Sequence, residues 1–234
     1  MAFNLNDNQD FSRSVGRAPE YSAVSGISFL NKVYGLMTAG LMLTGGVAHW
    51  VSQSVPPQQL RSWIIPCMVA ELAVVFALSF LVMRMPAFLA FLGFLGYAAL
   101  NGVTLSTIFL SYELGSVARV FAVTSCTYGA MTLYGFCTRR DLTSLGSLCM
   151  MALLGAVLAG VVNLFLKTSG LDFAMSLVCV LIFVGLTAYD AQKIKTMNEN
   201  GVEHNGIAVM AALSLYLDFI NLFLAVLRLL GKRK

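Results

Sequence analysis

Of the chain's 234 residues, 58% are hydrophobic and only 11% are charged, whereas soluble domains carry about 25% charged residues. That balance excludes an ordinary soluble domain and identifies an integral membrane protein. The formal net charge of +4 is small and sits at the ends of apolar segments; it reports orientation in a bilayer and makes no case for nucleic-acid binding.

Residues 1–27 form a polar tail of mixed charge, expected to be poorly ordered to about Ser25. It holds no short apolar run ending in a small-residue cleavage site, so the first span is expected to be an uncleaved anchor. Residues 28–234 make up the transmembrane domain. Apolar segments of spanning length are expected at 29–51, 63–83, 87–110, 117–137, 145–166, 173–191 and 207–230. The breaks between them, such as Pro56-Pro57, Arg84 to Pro86 and the Thr138-Arg139-Arg140-Asp141 turn, are short. Short breaks favour one bundle with antiparallel neighbours.

Gly35, Gly40, Gly45 and Gly46 in the first span, and Gly155 and Gly160 in the fifth, suit close helix approach. The string Tyr-Gly-x-Met-Thr occurs at Tyr34 and again at Tyr128, a weak hint of two inverted three-helix halves followed by an extra seventh helix. Cys67, Cys126, Cys137, Cys149 and Cys179 lie within or at the ends of apolar segments without a CxxC pair and read as core residues. His49 and His204 lack ligand spacing, so no transition-metal site or cofactor is expected. Counted by alternation from a cytoplasmic N-terminus, Arg13, Arg17, Lys32, Arg84, Arg139, Arg140, Lys193 and Lys195 fall inside, against Arg61, Arg119 and Lys167 outside. This bias favours a cytoplasmic N-terminus. Seven complete spans then place Arg228 and the closing Lys-Arg-Lys outside, against the rule, unless the last segment stops short.

The last segment is the most informative. On a helix turning about 100° per residue, Ser214, Asp218, Asn221, Ala225 and Arg228 share a stripe roughly 80° wide. A charge at the bilayer centre costs at least about 2.5 kcal/mol, so the stripe faces protein or water, either as a packed helix contact or as part of an ion or proton pathway. Asp190, near the end of the sixth segment, is a second acid at membrane level. It either serves Lys193 one turn away or meets Asp218 on the next helix. The latter needs the sixth helix to run beyond its apolar part, because Asp218 lies about a turn deeper. Glu71 is a third acid, and Arg228 is its obvious intramembrane counter-charge. Asn101, Thr104, Asn163 and the Thr124 to Thr127 run either line a cavity or hydrogen-bond between helices.

Enzyme templates are poorly met. A nucleophile elbow, a P-loop and a HExxH helix are absent. Tyr189-Asp190 matches half of the intramembrane aspartyl protease pattern, but no glycine precedes Asp218, so an enzyme is not expected.

The strings GLTAYDAQKIK (185–195) and ALSLYLDFINLFLAVLRLLG (212–231) closely resemble the signature of the Bax-inhibitor family, in its bacterial branch. The resemblance extends to residues 34–46 and 128–141. It implies an all-α membrane protein of the bacterial inner membrane: seven transmembrane helices, with two three-helix layers around a central C-terminal helix. It further implies a pH-sensitive calcium leak in which Asp190 and Asp218 form a di-aspartyl sensor, Arg84 latches the closed state, and Glu71 pairs with Arg228. A regulatory role on other membrane proteins is the alternative. Two carboxyls in one low-dielectric site cannot both ionise cheaply and titrate as a unit. Calcium takes six to eight oxygens, so Asp190 and Asp218, with Asn221 and Ser214 as possible pathway groups, suit transient passage of calcium and protons better than storage.

Overall fold

A computed structural model describes the backbone of residues 6–82, 84–166, 169–201 and 205–234, and nearly all side chains from Phe29 onward. Lys167 and His204 lie outside the described residues, as do the side chains of Arg13 and Arg17. Among the described residues the chain forms seven helices: α1 (Asn6–Ser54), α2 (Pro57–Leu81), α3 (Ala87–Ser111), α4 (Leu114–Cys137), α5 (Thr143–Leu166), α6 (Ser169–Glu199) and α7 (Asn205–Leu230). Six of them, α2 to α7, are long and apolar enough to cross a membrane.

Helix boundaries follow local chemistry. Pro56 precedes α2 with Pro57 in its first turn, where a missing N–H leaves no bond unmade. Pro86 likewise precedes α3. The Asp141 carboxylate accepts from the Thr143 amide at 2.9 Å and the Thr143 hydroxyl at 2.6 Å, capping the start of α5. Those two bonds hold the exposed Asp141 carboxyl below the usual carboxylate range. After α6 the chain turns at Gly201, whose φ of 68° suits a residue without a Cβ.

Two helices differ from the boundaries expected from hydropathy. Backbone helix in α1 begins at Asn6, so it already runs through most of the polar N-terminal stretch; once an apolar span is helical, each further turn adds hydrogen bonds without a new nucleation cost. The sixth helix continues past Ala191 to Glu199. Its extra turns are amphipathic: Ile194 is buried, while Lys195 pairs with Glu199 at 3.8 Å.

α7 packs against α1, α3, α4 and α6, while α1 and α2 pack on α3, and α4 and α5 pack on α6. Ala212, Leu215, Tyr216 and Leu222 of α7 are fully buried. A helix apolar on nearly every side belongs in an interior, and the apolar remainder of α7 accordingly meets protein. α2 and α5 carry much of the exposed apolar surface, including Ile65, Phe80, Leu158 and Phe165.

α7 runs its full length. Its C-terminal end docks on the α3–α4 turn, where Tyr112 and Arg233 form an antiparallel bridge. Its first residue, Asn205, accepts from Lys32 Nζ at the opposite end of the bundle. The last segment is therefore one continuous helix from Asn205 to Leu230.

Candidate functional site

The rotation of α6 is set by its small and aromatic residues. Gly135 of α4 lies against the Ala188 carbonyl and Ala191, so a Cβ there would collide with backbone. Gly146 of α5 lies under the Tyr189 ring, and a Cβ would come within 2.5 Å of it. With Ala188 and Ala191 against α4 and Tyr189 against α5, Asp190 is left facing α7. On α7, Ser214 and Asp218 lie one turn apart on the face toward α6. The Ser214 hydroxyl donates to Asp190 Oδ2.

The Asp190 and Asp218 carboxyls are neighbours, each within electrostatic reach of the other. An ionised carboxylate only accepts, so a hydrogen bond between two carboxyls requires a proton. Asp218 is 5% exposed, and its Oδ2 is buried without a hydrogen-bond partner among the described residues. Extension of α6 to Glu199 removes the difference in depth between the two acids, because Asp190 lies well inside the longer helix.

Two tyrosines close the site. Tyr128 of α4 donates to the Leu215 carbonyl at 3.2 Å and lies within electrostatic reach of both acids. Tyr34 of α1 lies within reach of Asp190 and of Tyr128, and its hydroxyl is buried without a partner among the described residues. These are the two tyrosines of the repeated Tyr-Gly-x-Met-Thr string. The repeat was legible as a pattern, yet nothing in it showed that its two copies converge beside the acids.

Lys193 makes no salt bridge with Asp190 but lies within electrostatic reach of it, its ammonium 5.9 Å from the Tyr189 ring centre. Thr187 turns its hydroxyl back to the Phe183 carbonyl. Asn221 likewise donates to its own helix at Leu217 O, 2.8 Å away, and only Ser214 of the two polar candidates joins the acids. A cleft of about 320 Å³ between α6 and α7, lined by Lys193, Met197, Ile207 and Met210, leads from the α6–α7 turn to Ser214 and Asp190. Two carboxyls and one hydroxyl fall short of a calcium cage. No cluster of three or more His, Cys, Asp or Glu placed to hold a metal occurs among the described residues.

The remaining charges take other partners than expected. Ion pairs among the described residues are Lys195 with Glu199 and Lys232 with Glu113. Glu71 is not paired with Arg228: its carboxylate accepts from the Thr104 hydroxyl at 2.5 Å. The reason is packing, because α2 lies on α3, while Arg228 is exposed near the end of α7 with Cys179 of α6 in its field. Arg84 lies exposed in the α2–α3 turn and bridges to neither acid. Asn163 donates to Asp172 at 2.5 Å, joining α5 to α6. Thr104 and Asn163 are thus helix-to-helix contacts.

Residues 27–234 match the family described as inhibitor of apoptosis-promoting Bax1. The chain is 43% identical over 216 residues to the inner membrane protein YbhL of Escherichia coli K12, covering 88% of this chain and 92% of that one. It is 44% identical to an uncharacterised protein of Rickettsia prowazekii, covering 88% and 90%. An uncharacterised protein of Caulobacter vibrioides is 35% identical, covering 97% and 98%.

Proposed function

The chain belongs to the Bax-inhibitor family, and from that premise we propose that it is a pH-sensitive calcium leak of the membrane, gated by the proton shared between Asp190 and Asp218. The observation that carries this reading is the contact of two membrane-level carboxyls, one of them buried with an unpartnered oxygen, at the inner end of a cleft. In the full reading, seven spans place α1–α3 and α4–α6 as two groups around α7, with the N-terminus cytoplasmic.

The singly protonated pair ties α6 to α7 through Ser214 and the Asp–Asp bond. Loss of that proton puts two negative charges side by side in a site of low dielectric, where like charges repel strongly. Relief comes by separation of the helices, by entry of water, or by a divalent cation arriving through the cleft. Calcium is the substrate of passage here, held briefly by two carboxylates and completing its shell with water.

The test is calcium flux into liposomes holding the purified protein, measured from about pH 5 to 8. Flux that changes with pH, and whose pH dependence is lost on Asp190→Asn or Asp218→Asn, supports the reading. A wild type without flux at any pH refutes it and leaves a regulatory role on other membrane proteins.

A further inference from the structure

A groove between α1 and α4 takes no part in the acid site. These helices meet where the Tyr128 hydroxyl reaches the Met37 sulfur at 3.6 Å. Both pack on α7 but hardly on each other. Toward the C-terminal end of α7 they splay, leaving a groove of about 310 Å³ floored by Phe219, Ile220 and Phe223 and walled by Leu41, Ala48 and Val117. Thr44 is its one polar side chain. That hydroxyl is engaged inward, with the Ala98 carbonyl at 2.8 Å and the Tyr216 hydroxyl at 2.7 Å. What remains is a hydrocarbon-lined slot at the lower end of the usual ligand-cleft range of about 300–1,000 Å³.

Its mouth is basic. The chain's last residues dock there through Glu113 N to Lys232 O and Lys234 N to Ser111 O, each 3.0 Å. Lys234 Nζ donates at 2.8 Å to the carbonyl of Phe109, itself a groove residue. Arg233 lies over the Tyr112 ring. Glu113 answers Lys232 alone, at 3.0 Å. Arg233 and Lys234 are therefore exposed cations outside any ion pair among the described residues. They stand at the bundle end that the loop charges assign to the outside, where basic residues are disfavoured.

We propose that the groove and the docked C-terminus form a binding site for an anionic phospholipid. One acyl chain lies along Phe219 and Phe223, and the phosphate is received by Arg233 and Lys234. An apolar slot ending in unpaired cations matches a molecule with a hydrocarbon tail and a negative head, and neither a neutral lipid nor a free anion uses both parts.

The experiment measures lipids retained by the purified full-length protein in mild detergent by native mass spectrometry, together with the shift in Tm on adding phosphatidylglycerol, phosphatidylcholine or inorganic phosphate. Phosphatidylglycerol is expected to be retained and to raise Tm, with the other two weak. Replacing Arg233 and Lys234 together by Gln weakens phosphatidylglycerol binding about 30-fold. Gly45→Leu fills the groove, where a Cβ meets nothing within 4 Å; it abolishes retention while leaving the lipid-free Tm close to wild type. This second variant decides the matter even if the double one fails to fold. Retention unchanged in the Gly45 variant, phosphatidylcholine bound equally well, phosphate alone reproducing the stabilisation, or a dimer covering the groove would each overturn the proposal.

Discussion

Ser214 of α7 donates its hydroxyl to the Asp190 carboxylate of α6, one helical turn ahead of Asp218 on its own helix. This bond fixes the register of α6 on α7 and brings the second acid to the first. A hydroxyl at this position supplies a donor without adding a charge to the site. Tyr128, which donates to the Leu215 carbonyl beside it, holds α4 to the same turn of α7.

If the two acids act as one titrating unit, Asp190→Asn and Asp218→Asn are expected to flatten the dependence of calcium flux on pH, and the double variant to add little. Asp141→Asn is the control. Its folded-state carboxyl is held below the unfolded value, so whatever stability it contributes is present above the ordinary carboxylate range and lost only as pH falls through the depressed one. It should leave the profile between about pH 5 and 8 unchanged. Singles that keep the full wild-type profile would remove the sensor from the mechanism.

Ser214→Ala deletes a hydrogen bond to a charged group, worth about 1.5–3 kcal/mol. The expected result is a lower Tm in detergent together with a displaced flux profile, whereas Ser214→Thr keeps the hydroxyl and restores both. A Tm loss with an unmoved profile would make Ser214 a packing residue only.

For Glu71 the expectation follows from Thr104. Thr104→Val removes the donor to a half-buried carboxylate and should cost about 1.5–3 kcal/mol. Arg228→Met should cost little, because that side chain is exposed and forms no ion pair among the described residues. Thermal unfolding of the singles and of the Glu71→Gln/Arg228→Met double checks it; a large Arg228→Met loss that the double relieves would restore the Glu71–Arg228 pair.

Gly146→Ala places a methyl under the Tyr189 ring, and Gly135→Ala places one against the Ala188 carbonyl. Each is expected to destabilise by about 1–3 kcal/mol and to disturb the flux profile, because both turn α6 and re-aim Asp190. Gly129→Ala, where a Cβ meets nothing within 4 Å, should be neutral or stabilising by up to about 1 kcal/mol. Equal effects at all three positions would show that helix propensity, and not packing on α6, sets the outcome.

Topology has its own test. The C-terminus docks at the α3–α4 turn, and the Arg139-Arg140 turn lies at the opposite end with Gln192 bonded to the Arg140 carbonyl. Single introduced cysteines at Lys234 and at Arg140 are expected to label from outside and from the cytoplasm respectively in intact cells. Labels on the same side would contradict the full crossing of α7, and the reverse pattern would invert the molecule.

Hydropathy alone located the apolar part of each helix, because a bilayer requires about 20 consecutive apolar residues per span and leaves a helix as the way to satisfy its backbone. The stripe of Ser214 and Asp218 was equally legible, since helical periodicity puts residues four apart on one face and a charge on that face cannot be shown to lipid. Partner choice was not legible. Glu71 and Arg228 are complementary in charge, yet α2 lies on α3, and a short hydroxyl donor within contact takes precedence over a guanidinium on a helix that α2 scarcely meets. The polar extension of α6 to Glu199 carries no apolar signal, and the convergence of Tyr34 with Tyr128 depends on how α1 and α4 cross α7. Contacts of that kind are set by which small residues allow which helices to approach, a property of surfaces in three dimensions that one-dimensional periodicity does not contain.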